Sequence, residues 1–168
     1  MITRDLRDDL TSALFHEAEL LDDGKVKEWF EGLLTKEIDY RIPVRITRER
    51  LSGRGFSEHA WLMKENWHSL RQRVMRLDSE YAWAEDPASR IRHFVTNIRL
   101  EEGEGSDRVT VKSNVLLFWS RLDSTDFKLV SGERHDEWVR EDDTWKLDAR
   151  TVYLDHTTLV TPNLAIFI

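Results

Sequence analysis

From Glu85 to Leu100 the chain reads EDPASRIRHFVTNIRL. His93 and Asn97 stand four residues apart in a run of Ile, Val and Phe that should be a strand. An imidazole can take or give a proton near neutral pH, and an amide can orient a partner, so the pair could belong to an active site. It could equally be a structural hydrogen-bond anchor, or part of a surface that meets another chain. In an extended strand Ile91, His93, Val95 and Asn97 share one face, with Arg92, Phe94, Thr96, Ile98 and Leu100 on the other. His93 and Asn97 then form a polar pair in a packed face. Asp39, Tyr40 and Tyr153 are the other side chains that could join His93 in acid–base chemistry inside an apolar pocket.

Other chemistries find less support. The six histidines make no HExxH or HxxEH pair, although a two-His, one-carboxylate site could assemble from distant strands, for example around His93, His135 and Asp136. No GxSxG elbow is present, which disfavours a serine hydrolase. Gly53-Arg54-Gly55 precedes a helical pattern, but it lacks the third glycine and the Lys-Ser/Thr pair of a phosphate loop and reads as a surface loop. The chain has no cysteine. That excludes disulfides, thiolate zinc sites and Cys-ligated clusters, and it fits a cytoplasmic protein.

Arginine is concentrated in an otherwise acidic chain of net charge −7, a charge that argues against nucleic-acid binding. Arg41, Arg45, Arg48, Arg50 and Arg54 fall in YRIPVRITRERLSGRG, and Arg90 and Arg92 in SRIRH. Arginine favours protein interfaces because its guanidinium pairs bidentately with carboxylates. Trp83, in YAWAEDP, adds an aromatic beside this basic segment. The chain closes on NLAIFI, whose Ile166 and Phe167 would be costly to leave in water. This run should dock on its own sheet or on another subunit.

The elements that must hold these residues follow from periodicity. Leu6, Leu10, Ala13, Leu14 and Leu21 suggest a helix from about Asp5 to Leu21, and Val26, Trp29, Phe30 and Leu33 a short second one. Ile42, Val44 and Ile46 alternate with Arg41, Pro43 and Arg45 in a strand that is bulged or at an edge, since Pro43 cannot donate to a ladder. Met63, Trp67, Leu70, Val74 and Leu77 predict a long amphipathic helix from about Glu58 to Asp78. Four β-rich runs follow, at Ile91–Glu101, Arg108–Arg121, Phe127–Arg140 and Thr144–Leu154, joined by short polar turns that favour antiparallel pairing. Helices first and a meander second predict an α+β fold in one domain, 1–168, with helices covering one face of a curved sheet. The length, 168 residues, suits that. The charged N-terminus does not read as a signal peptide, and no apolar run is long enough to span a membrane.

YRIPVRITRER, RVMRLDSEYAWAEDPASRIRHFVTNIRL and NLAIFI together resemble the small (β) subunit of the aromatic-ring-hydroxylating dioxygenases, over nearly the whole chain. The resemblance implies a nuclear-transport-factor-2-like cone: a strongly curved, mostly antiparallel sheet with the N-terminal helices and one long helix on its concave face. It implies a non-catalytic subunit with no cofactor of its own, assembled with a larger α subunit as α3β3 with β–β contacts. The α subunit would carry a Rieske [2Fe–2S] cluster and a mononuclear Fe(II), with electrons from NADH arriving through separate electron-transfer components. The assembly would add O2 to an aromatic ring as a cis-dihydrodiol in aromatic catabolism. Arg41, Arg45, Trp83, Arg90, Arg92, His93, Asn97, Ile166 and Phe167 are then candidate interface or anchor residues. The competing expectation is a stand-alone isomerase or dehydratase of the same cone fold, using Asp39, Tyr40 or His93 as acid or base.

Overall fold

A computed structural model describes residues 2–47, 49, 53–77, 89–105, 107–121, 123, 125–157 and 166–168. Helix α1 (Arg4–Asp22) begins where Thr3 Oγ1 accepts the Leu6 N–H at 3.2 Å, which satisfies one donor of the open first turn. Its buried face is Leu10, Leu14, Glu17 and Leu21, with Leu20 beside them. It ends at Asp23-Gly24, where Gly24 adopts φ +71° and the Lys25 N–H donates to the Leu20 carbonyl at 2.8 Å. Helix α2 (Val26–Leu33) buries Trp29 and Phe30.

Strand β1 (Leu34–Arg45) follows at once. With β2 (Phe56–Asn66), β3 (Arg90–Glu102), β4 (Arg108–Ser120), β5 (Phe127–Glu141) and β6 (Thr144–Leu154) it forms a six-stranded sheet in the order β2-β1-β6-β5-β4-β3. The β1–β6 pair is parallel and the other four are antiparallel. The sheet is curved and does not close. Irregular registers at Ile42/Pro43, Thr96/Arg99 and Glu137/Trp138 are bulges, which bend a strand and raise its twist. Pro43 sits at such an irregularity in β1, inside the sheet rather than at its edge.

Two expectations are corrected here. The long helix predicted over Glu58–Asp78 is a strand to Asn66 and a helix, α3 (Trp67–Leu77), only afterwards. Met63 faces Ile42 across the sheet and is buried there. Asn66 and Ser69 bond reciprocally: Asn66 Oδ1 accepts the Ser69 N–H at 3.1 Å, and Ser69 Oγ accepts the Asn66 N–H at 3.0 Å. That box starts the helix. Asp78 lies outside the described residues.

The second correction concerns His93 and Asn97. Asn97 adopts φ +52° between partners Thr96↔Asn114 and Arg99↔Lys112, so β3 carries one extra residue there. The buried side switches from the odd positions Ile91 and His93 to the even positions Ile98 and Leu100. Asn97 is exposed and does not share a packed face with His93.

The helices and the C-terminal residues lie over one face of the sheet. Ile166, Phe167 and Ile168 are buried in the same core as Leu10, Trp29, Tyr40 and Leu117, so these three residues dock on their own chain, the first of the two expected sites; Asn163, Leu164 and Ala165 lie outside the described residues. No helix among the described residues is long and apolar enough to cross a membrane.

Candidate functional site

The interior of the cone is not purely apolar. Glu17, from the buried stripe of α1, accepts the Trp29 indole N–H at 3.0 Å and two N–H bonds from Arg150, at 2.9 and 2.7 Å. Arg134 adds a contact at 3.4 Å. Arg150 also holds Asp136 bidentately, at 2.8 and 2.7 Å. All four charged side chains are fully buried, and two carboxylates balance two guanidiniums. Burial pushes the Glu17 carboxyl up, but Arg150, Arg134 and the hydrogen bonds from Arg150 and Trp29 outweigh it and hold it at about 2. Burial lowers Arg150 as well, yet Asp136 and Glu17 hold it well above the ordinary arginine range. Arg134 is lowered, by burial and by the like charge of Arg150. A buried pair of this kind leaves a costly uncompensated charge when one partner is removed.

Tyr40 stands beside this set. Its hydroxyl donates to the Ile168 main-chain oxygen at 2.7 Å and accepts the Ile168 N–H at 2.9 Å. Burial, the largest influence, raises its phenol above the ordinary range, so it remains a neutral donor and acceptor.

His93 is buried on the edge strand β3. Its Nδ1 lies 2.6 Å from Asp22 Oδ1, and its backbone N–H donates to the same carboxylate at 2.9 Å. Its Nε2 lies 2.9 Å from the Phe167 carbonyl oxygen. One side chain therefore ties the end of α1, the edge strand and the C-terminal residues together. Asp22 also caps an open N–H of that edge, which blunts pairing with another strand. His93→Ala removes the ring's contact with Asp22 and leaves the Phe167 carbonyl without its imidazole partner, so it is expected to lose roughly 1–3 kcal/mol in urea unfolding. A loss confined to assembly, with unfolding unchanged, would contradict this anchoring role.

The expected acid–base set is not brought together. Tyr40 and His93 both face the interior, but Asp39, the neighbour of Tyr40 on β1, points to the opposite face and pairs with Arg41 at 2.7 Å. Tyr153 is on that outer face too, edge-on to Phe56 and His135. Trp29, Tyr40 and Phe167 lie together in that interior, with the Trp29 and Phe167 rings 4.6 Å apart.

The arginines are mostly engaged within the chain. Arg41 pairs with Asp39 and lies over Trp61. Arg45 donates to the Leu154 carbonyl at 3.1 Å and lies over Phe56. Arg54 pairs with Glu133 at 3.0 Å. Arg92, largely exposed, reaches Asp22 at 3.3 Å, and Arg90 is an exposed first residue of β3. Trp83, Arg48 and Arg50 lie outside the described residues.

The outer face of the sheet carries what the sequence reading missed. Phe94, Leu116, Phe127 and Leu129 are all exposed. Phe94 pairs with Leu116 and Phe118 with Leu129, and the Phe118 and Phe127 rings stack at 5.4 Å. These five residues form one apolar stripe across β3, β4 and β5, the kind of patch that marks an interaction site. The other missed residues had a signal. Glu17 occupies a core position between Leu14 and Leu21; on the inward faces, Arg134 and Asp136 stand between Val130 and Trp138 of β5, and Arg150 between Leu147 and Val152 of β6. Asp22 had none, because its role depends on where α1 ends against β3.

The donor set does not suit a Rieske cluster, which needs two cysteines beside two histidines. Among the described residues no group of three or more His, Asp or Glu is placed to hold a metal ion.

The chain is similar to known proteins in family and fold. The model of a family described as "Ring hydroxylating beta subunit" matches residues 16–161. A chain of naphthalene 1,2-dioxygenase, solved with indole bound in the active site, is 27% identical at TM-score 0.86, covering 100% of this chain and 88% of that one. The beta subunit of benzoate 1,2-dioxygenase from Burkholderia mallei is 23% identical at TM-score 0.76, covering 99% and 100%. ActVI-ORFA of Streptomyces coelicolor shares the fold at 16% identity and TM-score 0.66, covering 94% and 100%. The fold is the nuclear-transport-factor-2-like cone.

Proposed function

The chain belongs to the ring hydroxylating beta subunit family, and from that premise we propose that it is a non-catalytic, structural subunit of an aromatic-ring-hydroxylating dioxygenase. In this reading it acts as one domain, 1–168, in a cytoplasmic complex. Its partner is a larger α subunit that carries the Rieske cluster and the mononuclear iron, in an α3β3 arrangement with β–β contacts. The complex adds both atoms of O2 to an aromatic ring during aromatic catabolism, with electrons drawn from NADH. The contribution of this chain is geometric: it holds α subunits so that neighbouring iron centres stay within reach of one another.

The observation that carries the reading is the division of labour between the two faces of the sheet. The inner face, where a cone enzyme would bind its substrate, is filled by Trp29, Tyr40 and Phe167 and cross-linked by Glu17 and Arg150. The outer face presents the stripe of Phe94, Leu116, Phe118, Phe127 and Leu129. A rigid, filled cone with an apolar outer face suits a scaffold, and we assign the stripe to the α subunit. Arg90 and Arg92, at the start of β3, lie at its rim.

Co-expression with a cognate α subunit, followed by sizing, tests the assignment. Wild-type chain is expected to co-elute with α in one large species. Phe94→Asp with Leu129→Asp is expected to weaken that contact by roughly 2 kcal/mol or more per residue while far-UV dichroism of the free chain is retained. A chain that stays alone with a well-behaved α subunit would end the reading. Unchanged assembly of the double variant would end only the assignment of the stripe.

A further inference from the structure

One peptide group in the interior is held from both sides. The carbonyl of Phe167 lies 2.9 Å from His93 Nε2, and the N–H of the same peptide, on Ile168, donates to the Tyr40 hydroxyl at 2.9 Å. His93 is fixed in turn by Asp22 at 2.6 Å. Tyr40 makes a second bond to the segment, donating to the Ile168 main-chain oxygen, which Arg150 also reaches at 3.3 Å. Beside this clamp the Phe167 ring fills an aromatic slot, 4.6 Å from Trp29 and 6.5 Å edge-on to Tyr40, and Ile166 and Ile168 are buried on either side. Main-chain hydrogen bonds together with a side-chain pocket are the ordinary means of peptide recognition. Here the peptide belongs to the same chain.

We propose that the interior of the cone is a peptide-reading site, filled in cis by residues 166–168, which takes an extended aliphatic–aromatic–aliphatic segment in trans: the same segment of a second copy of this chain. The three side chains that read the main chain come from β1, β3 and β6, so the site is built by the sheet and not by the segment that fills it. Exchange of an identical element between copies needs no new contact, only a vacated site and a free segment. This inference stands whether or not the chain is a dioxygenase subunit, because no step of it uses the α subunit.

The test uses the full chain carrying Phe167→Asp, whose carboxylate cannot enter the dry slot beside Trp29 and so expels the resident segment. The probe is a fluorescent synthetic peptide, Asn-Leu-Ala-Ile-Phe-Ile, followed by anisotropy. Saturable binding is expected for the variant and none for the wild type, whose own segment competes at high effective concentration. A peptide N-methylated at the Phe–Ile amide cannot donate to Tyr40, and it is expected to bind about tenfold or more weakly. Equal binding of the methylated peptide, or no binding by a variant whose far-UV dichroism is native, would overturn the proposal. Should Phe167→Asp not fold alone, the peptide is added during refolding. Recovery of far-UV dichroism and a cooperative melt is expected with the peptide but not with the methylated one, and equal or absent recovery would overturn the proposal in the same way.

Discussion

Glu17→Ala is expected to be among the most damaging single substitutions in the chain, at about 3–5 kcal/mol in urea unfolding. It removes the carboxylate that accepts from Arg150, Arg134 and Trp29, and it leaves two guanidiniums facing Asp136 alone. Trp29 Nε1 and Arg134 Nη1 then lose their acceptor, and Arg150 keeps only Asp136 and the Ile168 main-chain oxygen. Replacing the whole set with apolar side chains of similar volume would cost much less, because the desolvation of all four charges would be recovered as well. The same residue gives the protein an acid limb. Its carboxyl is held at about 2 in the folded chain, against an ordinary 4.5. A depressed folded value contributes stability that is in place above the unfolded value, on the order of 3 kcal/mol here. That stability is lost as the pH falls through 4.5 toward 2. Glu17→Gln cannot titrate, so the gap between wild type and this variant should shrink between about pH 6 and pH 3. A gap that stays constant over that range would show that the carboxylate is not held by the guanidiniums in this way.

The parts of this architecture that could be read from sequence are those written in local order. The stripe of α1, the pattern of Trp29 and Phe30 in α2, and the β runs separated by polar turns need only neighbours along the chain, and they fall within a few residues of the observed elements. The start of α3 was misplaced for a local reason too. Met63 and Trp67 are four apart, a helical spacing, but Met63 is held in β2 by Ile42, twenty-one positions earlier, and strand pairing overrode the period. The bulge at Asn97 could not be deduced from alternation, which assumes an unbroken ladder; a single inserted residue moved every later side chain of β3 to the other face. His93 was singled out for its type and kept its importance, but its partners, Asp22 and Phe167, come from the two ends of the chain. The outer stripe escaped because it runs across three strands, and no single segment shows it. An apolar residue on an alternating strand carries no mark of which face is left open, whereas a charge on an apolar stripe does. Glu17 carried such a mark and Phe94 did not.

Phe167→Ala is the second substitution expected to act strongly, at about 3–5 kcal/mol, the range for removing a buried phenylalanine ring. Phe167 is buried between Trp29 and Tyr40, with Ile166 and Ile168 packed beside it. A loosely held main chain would collapse into the space left by a lost ring, which would soften the cost. Here the main chain that follows the ring is pinned, by His93 at the Phe167 carbonyl and by Tyr40 and Arg150 at Ile168. The vacated space therefore stays open, and the penalty should lie at the upper end of the range. Combining Phe167→Ala with His93→Ala separates the two contributions. If the latch is what prevents collapse, the double variant should lose less than the sum of the single losses, by about 0.5 kcal/mol or more. Strict additivity in urea unfolding would mean that the ring and the latch act independently, and that the hydrogen bonds to the segment add strength without holding the cavity open.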